Sequence, residues 1–286
     1  RRGGRIGLLR WEQDGLHVSA HGVRLAWTDE QVLGLPTRRR LDIDGLHIER
    51  LEIRDDRPAT DGGPPASLEL PLLLSLPWSV DLLVLQGEEE LRLEALRGLY
   101  THDAALDALG VPKAHRLRLD NLRWAAGEYQ GELLLGAQAP MPLRLNATGR
   151  VQVDVPDGLP QVLDASLQAR GHLAGIGAAI DLQLALTQVG TPAEKPPALD
   201  ARARIRPWDT RQVLEQLDAR VHELNLAGLW PDAPLTALSG EAQASPREQG
   251  WQARVALGNA LPAPLDRQGL PFDQLRLELI HEASRW

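Results

Sequence analysis

His17 and His21 stand four residues apart, the spacing that on a helix face would bring two imidazoles to one metal ion. The surrounding LHVSAHGV alternates, however, so the stretch reads as strand and turn. No acidic residue is spaced to complete a coordination set, and no metal is expected. Three other His residues sit beside an acid, in His102-Asp103, His222-Glu223 and His281-Glu282. Neighbours on a strand point to opposite faces, so these pairs are expected to be solvated rather than coupled. No GxSxG elbow supplies a nucleophile, and with no Cys the chain has neither a thiolate nucleophile nor a disulfide. Gly171, Gly175 and Gly177 in GHLAGIG suggest a phosphate loop, yet they lack the GxGxxG spacing and a following helix. A turn or bulge is expected there, with no cofactor. No enzymatic constellation emerges.

Charge narrows the partners. The 286 residues carry a net charge of −8, which argues against nucleic acid and against docking on an anionic membrane surface. The clusters Arg38-Arg39-Arg40 and Arg202, Arg204, Arg206 are read as a solvated outer face. Trp11, Trp27 and Trp124 close strands beside turns, while Trp208, Trp230 and Trp251 sit next to Pro or Gly. Their expected role is to cap sheet edges or seal the ends of a groove. No apolar run reaches the roughly 18 residues of a membrane span.

The elements that must carry these side chains announce themselves by period two. Leu143, Leu145, Ala147, Gly149, Val151 and Val153 alternate with Arg144, Asn146, Thr148, Arg150 and Gln152, the pattern of a strand with one apolar and one wet face. The same alternation carries Leu163 to Ala169, Ile180 to Leu186, Ala201 to Ile205, Ala253 to Leu257 and Leu275 to Leu279. Leu16 to Trp27, Leu41 to Ile53, Leu91, Leu93, Leu117 and Leu119 continue it in the first half. Turn chemistry places breaks at Asp14-Gly15, Asp44-Gly45, Gly127, Asp157-Gly158 and Gln249-Gly250. Several breaks shift the alternation by one, as between Ile43 and Leu46, and a bulge must absorb the extra residue if the apolar face is to persist. Short helices are expected over 101–110, 209–217 and 226–230. Residues 55–67 and 190–197 read as loop insertions in one continuous piece, 1–286.

Mostly Leu, Ala and Gly fill the apolar positions, with few aromatic residues to pack two sheets together. The expected fold is therefore mostly β: a long, curled, antiparallel meandering sheet forming an open apolar groove, with few short helices. The side chains expected to face a ligand are Leu143, Leu145, Val151, Val153, Leu167, Leu182, Leu184, Ala203, Ile205, Val255, Leu257, Leu275 and Leu277. The chemistry that suits such a floor is an acyl chain shielded from water.

One segment carries a family pattern. From Ala198 to Pro246 an alternating strand ends in Pro207-Trp208; a second strand, the step Leu224-Asn225-Leu226, a proline-bounded turn and Thr236-Ala237-Leu238-x-Gly240 follow. This order resembles the TamB family of the translocation and assembly module. LLRWEQDGLHV, LDIDGLHIERLEI and APMPLRLNATGRV are similar to other parts of that family. The resemblance implies a rolled "taco" of β-strands and a bridge that moves phospholipid from inner to outer membrane. It also implies a periplasmic location, an anchor in the inner membrane outside this chain, and support for outer-membrane assembly with the barrel protein TamA. Contact with TamA is expected to lie outside this piece. The alternative from a different class is a structural or chaperone module that pairs its sheet edge with outer-membrane strands.

Overall fold

A computed structural model describes residues 2–31, 39–56, 63–68, 74–87, 90–103, 114–153, 161–189, 198–209, 213–228, 233–247, 250–267 and 269–282. Fifteen strands are formed: β1 (Arg2–Gln13), β2 (Leu16–Gln31), β3 (Arg39–Asp55), β4 (Leu74–Gln86), β5 (Glu90–Asp103), β6 (Ala114–Trp124), β7 (Gly127–Gly136), β8 (Pro142–Val153), β9 (Gln161–His172), β10 (Ile180–Gln188), β11 (Leu199–Ile205), β12 (Leu214–Leu224), β13 (Leu238–Arg247), β14 (Gly250–Asn259) and β15 (Gln274–Glu282). They follow one another in sequence order in a single sheet that does not close into a barrel. The mostly-β reading thus holds, and no α-helix occurs among the described residues. Two compact units divide the chain. The first holds Arg1–Asp61, Glu69–Trp124 and Tyr129–Leu133; the second holds Gly62–Leu68, Ala125–Glu128 and Leu134–Trp286.

In the first unit, β1 to β3 and β4 to β6 are antiparallel, but β3 and β4 pair in parallel. A parallel step needs a crossover of a dozen or more residues, and the polar segment after Asp55 supplies its length. The first hairpin turns at Asp14 (φ 50°) and Gly15 (φ 88°), both in the left-handed region that a tight two-residue turn requires. Asp44-Gly45 forms no turn. β3 runs straight through it, and the extra residue is absorbed where Ala26↔Gly45 gives way to Trp27↔Ile43. Asx-Gly chemistry serves a bulge as well as a turn, so the local sequence alone does not separate the two.

A second set of slips lies level across β2 to β6. Val23 and Ala20, Ile48 and Leu51, Val80 and Leu83, Leu96 and Leu93, and Leu119 and Leu122 are each three apart, where strict alternation would make them two. Residues from every one of these strands nevertheless share one core, in which Ala20, Ile48, Val80 and Leu96 are buried and Trp78, Leu83, Leu93 and Leu122 pack against them. The slip in β2 falls at Gly22 (φ 62°), where a Cβ would lie 2.3 Å from the Glu49 side chain. In β5 it falls at Ala95 (φ 51°), whose carbonyl accepts a 2.8 Å hydrogen bond from Asn121 Nδ2. Each strand changes phase at the same level, so the apolar face survives.

Two expected helices are strands where they can be described. Residues 101–103 complete β5 and Leu214–Leu217 open β12, while 104–113 and 210–212 fall outside the described residues. Cross-strand pairing is a long-range contact and overrides weak local helical spacing. The expectation at 226–230 is met in part by a single 3-10 turn over Leu226–Gly228. Residues 57–62 and 190–197 of the two loop insertions also lie outside the description.

In the second unit β8 to β15 are consistently antiparallel. Opposite charges face each other in register on the polar side: Arg150 and Asp164 at 2.9 Å, Arg204 and Asp181 at 3.6 Å, Arg254 and Glu278 at 3.3 Å. Such pairs are weak individually, but they favour this register over a one-residue slip. The 3-10 turn after β12 touches β8, four strands back along the sheet. Leu226 in that turn packs against the buried cluster of Leu186, Leu224 and Leu238. The unit therefore curls with its apolar side inward.

Candidate functional site

Register turns eight separate alternations into one surface. Across β8 to β15 one line of partners runs Leu145, Ala169, Leu182, Ala203, Leu217, Ala244, Ala253, Leu279. The next line runs Ala147, Leu167, Leu184, Ala201, Ala219, Ala242, Val255, Leu277. A third passes through Gly149, Ala165, Leu186, Leu199, Val221, Gly240, Leu257 and Leu275. Leu143 heads a fourth line through Gly171, Ile180 and Ile205. Val151, opposite Leu163, is buried at 4 % exposure. Every expected floor residue falls on this face except Val153, whose side chain lies outside the described residues.

The composition of the lines is uneven. β10, β14 and β15 carry mainly Leu and Val, whereas β8, β9 and β11 to β13 mix Leu with Ala and Gly. Small side chains on an inward-curling face relieve crowding and leave space above the floor. Of the Ala positions legible in the alternation only Ala203 was assigned to the site, because an Ala contributes little apolar area by itself. The last strand is the most exposed, with Leu277 at 42 % and Leu279 at 45 %.

One end of the face is closed by a polar lock that also explains the family-like motifs. Buried Asn225 Oδ1 accepts from the backbone N–H of Ala227 (3.1 Å) and of Thr236 (3.2 Å). Thr236 Oγ1 accepts from Leu226 N–H at 2.9 Å and donates to the Leu224 carbonyl at 3.1 Å. Asn259 fixes the next loop by accepting from Ala237 N–H and Leu261 N–H at 3.2 Å each. Held this way, Leu226, Leu270 and Phe272 pack onto Leu186, Leu224 and Leu238. The register slip between Val221 and Leu224 keeps Leu224 on the apolar side, with Gly240 (φ 149°) opposite. At the other end Trp208 donates its indole N–H to the Leu173 carbonyl at 2.6 Å, beside Met141, which is 2 % exposed.

The remaining chemistry-bearing candidates resolve as follows. GHLAGIG leaves β9 as a turn, closed by Ala178 N–H to Gly175 O at 3.0 Å. His17 lies 3.4 Å from Glu12 and 3.5 Å from Asp56. Among the described residues no three metal-ligating side chains converge. His222 and Glu223 are exposed, whereas His102 is not solvated: it is buried at 2 % and stacked 4.5 Å from His115, which accepts or donates a 2.7 Å hydrogen bond with Tyr100. His102 takes the apolar-face slot two residues beyond Tyr100, so its neighbour Asp103 does not determine its setting. Burial also raises the Tyr100 phenol above its ordinary pKa. Trp27 lies inside β2 at the bulge and does not close a strand, Trp124 ends β6, and Trp11 lies two residues before the end of β1; Trp11 and Trp124 stay exposed. Arg202, Arg204 and Arg206 are exposed and paired with Asp200, Asp181 and Glu215. Arg38, Trp230 and the side chains of Arg39, Arg40, His281 and Glu282 lie outside the description.

Comparison with family models, with curated proteins and with solved structures finds no match.

Proposed function

We propose that the second unit is a segment of a lipid conduit, whose inward-curling apolar face shields the acyl chains of phospholipid passing between an inner and an outer membrane. The observation that carries this reading is the continuous register of apolar partners from β8 to β15 on one face. Supporting it are the motif order from Ala198 to Pro246 and the absence of any polar group from the central lines of that face. An acyl tail of about 15 Å would lie across roughly three strands, and each methylene removed from water is worth about 0.8 kcal/mol. Similar neighbours at every step give no deep minimum, so a tail would slide along the face. The chain would be a periplasmic part of a TamB-like protein, anchored and joined to a TamA-type barrel through segments other than this one. The side chains act passively, without turnover.

Mass spectrometry of lipid extracted from the gently purified chain, beside Leu145→Glu and Leu184→Glu, tests the proposal. Near-stoichiometric phospholipid in the parent and its loss from both variants is the expected result, since a carboxylate on a lipid-facing surface opposes a tail, though by less than the roughly 2–4 kcal/mol that Arg or Lys would. A folded parent free of lipid would overturn it.

A second reading draws on the edge. All twelve residues of β1 are exposed, including Ile6 at 48 %, Leu8 at 42 % and Trp11 at 47 %. An open edge of that kind invites an added strand, as a chaperone of outer-membrane strands would require. Leu8→Pro should abolish such pairing and leave bound lipid unchanged, which separates the two readings.

A further inference from the structure

We infer that the polar face of the first unit carries a binding furrow for a phosphate-bearing amphiphile. It lies on the side of the sheet opposite that unit's own apolar core and does not depend on the conduit reading. Register sets Arg5, Arg24, His47, Ser79 and Arg97 side by side across β1 to β5. The adjoining line is short of side-chain bulk, with Gly3, Ala26, Gly45, Pro77 and Leu99. Between and above these two lines lies an open cavity of about 880 Å³, a volume suited to a single organic ligand. Its floor is apolar and its rim is cationic, which is the pattern of an amphiphile with an anionic end.

The charges locate that end. Arg5 and Arg24 are direct cross-strand partners, and like charges in that position repel. Arg24 is balanced by Glu49 at 3.2 Å, and Arg118 at the far wall by Asp120 at 2.8 Å. His47 is held by Ser79 Oγ at 2.9 Å from Nδ1, with Asp81 3.4 Å from Nε2. Arg5 and Arg97 have no carboxylate within ion-pair distance among the described residues. An anion between Arg5 and Arg24 would relieve the repulsion and take two planar guanidinium forks, a geometry suited to phosphate oxygens. The apolar part then lies along Ala26, Pro77 and Leu99, with Arg97 about 19 Å from Arg5 across the strands.

Titration of the full chain with dihexanoylphosphatidylglycerol below its micelle concentration, followed by NMR, tests the assignment. Saturable binding is expected in the parent, weakened at least about tenfold in Arg5→Gln. Gly45→Leu should weaken it similarly by filling the furrow; the nearest atom to its Cβ is a backbone oxygen 3.8 Å away, so the fold should tolerate the change. Arg144→Gln, on the polar face of the second unit, should bind as the parent does. Because Arg5→Gln removes a repulsion, its melting temperature should equal or exceed the parent's, which separates lost binding from lost fold. Equal binding of dihexanoylphosphatidylcholine, equal binding of inorganic phosphate alone, or an unchanged Arg5→Gln affinity would each overturn the inference.

Discussion

Asn225 and Thr236 show how a few buried polar atoms can hold an apolar end in place. Both are nearly sealed from water, at 7 % and 2 % exposure, and their side-chain oxygens accept three backbone N–H groups between them. Thr236→Val keeps the shape but strands the Leu226 N–H, and should lower unfolding free energy by about 1–3 kcal/mol in urea titrations. Thr236→Ser should recover most of that loss, which a purely steric role would not predict. On the outer face Glu215 behaves differently. The hydrogen bond from Arg206 lowers its carboxyl pKa below the usual glutamate value, with Arg204 adding to the effect. A lowered folded-state pKa means that the contribution to stability is present above the ordinary carboxylate range and is lost as pH falls through the folded value. Carbon-detected NMR titration should place the Glu215 midpoint below that of an unstructured peptide. Arg206→Gln should move it back up, and added salt should shrink the difference, since the pair is solvent-exposed.

Among the strands, the phase slips are the features that mutation can test most directly. Gly240 sits opposite the β12 bulge at φ 149°, and a Cβ there would lie 2.0 Å from the Ala256 carbonyl oxygen. Gly240→Ala should therefore cost about 2 kcal/mol or more, read as a lowered midpoint of denaturation. Gly7, in the exposed edge strand, has nothing within 4 Å of its Cβ position, so Gly7→Ala should be neutral or slightly stabilising in the same measurement. These slips also mark how far the fold was legible beforehand. Alternation at Leu143 to Val151, or at Ile180 to Leu186, identifies a strand and its inward face from local information, because the period of two is a property of the backbone. The three-residue steps at Ile48–Leu51 and Leu93–Leu96 were visible too, but not that they fall level. The parallel pairing of β3 with β4 left no local trace, since Leu46 and Trp78 meet only through register. The Arg5–Arg24–His47 line was invisible for the same reason: each residue comes from a different strand and has an unremarked sequence context.

At the scale of the whole molecule, one layer of sheet must do the work that two layers do in a sandwich. Each strand pairs only with those before and after it, so stability should resemble a sum of neighbouring interfaces. Leu277→Pro removes a ladder donor from β15, and hydrogen exchange should then accelerate in β15 and β14 while β8 to β11 keep their protection. Uniform acceleration throughout the second unit would instead indicate all-or-none cooperativity. The parallel step in the first unit has one more consequence, which concerns where the chain goes. Six strands in a strict meander would return it to the side from which it set out. Because β3 and β4 point the same way, β1 and β6 also share a direction, and the backbone that enters beside Arg2 leaves past Trp124 at the opposite rim. A single crossover thus converts a there-and-back path into a one-way traverse.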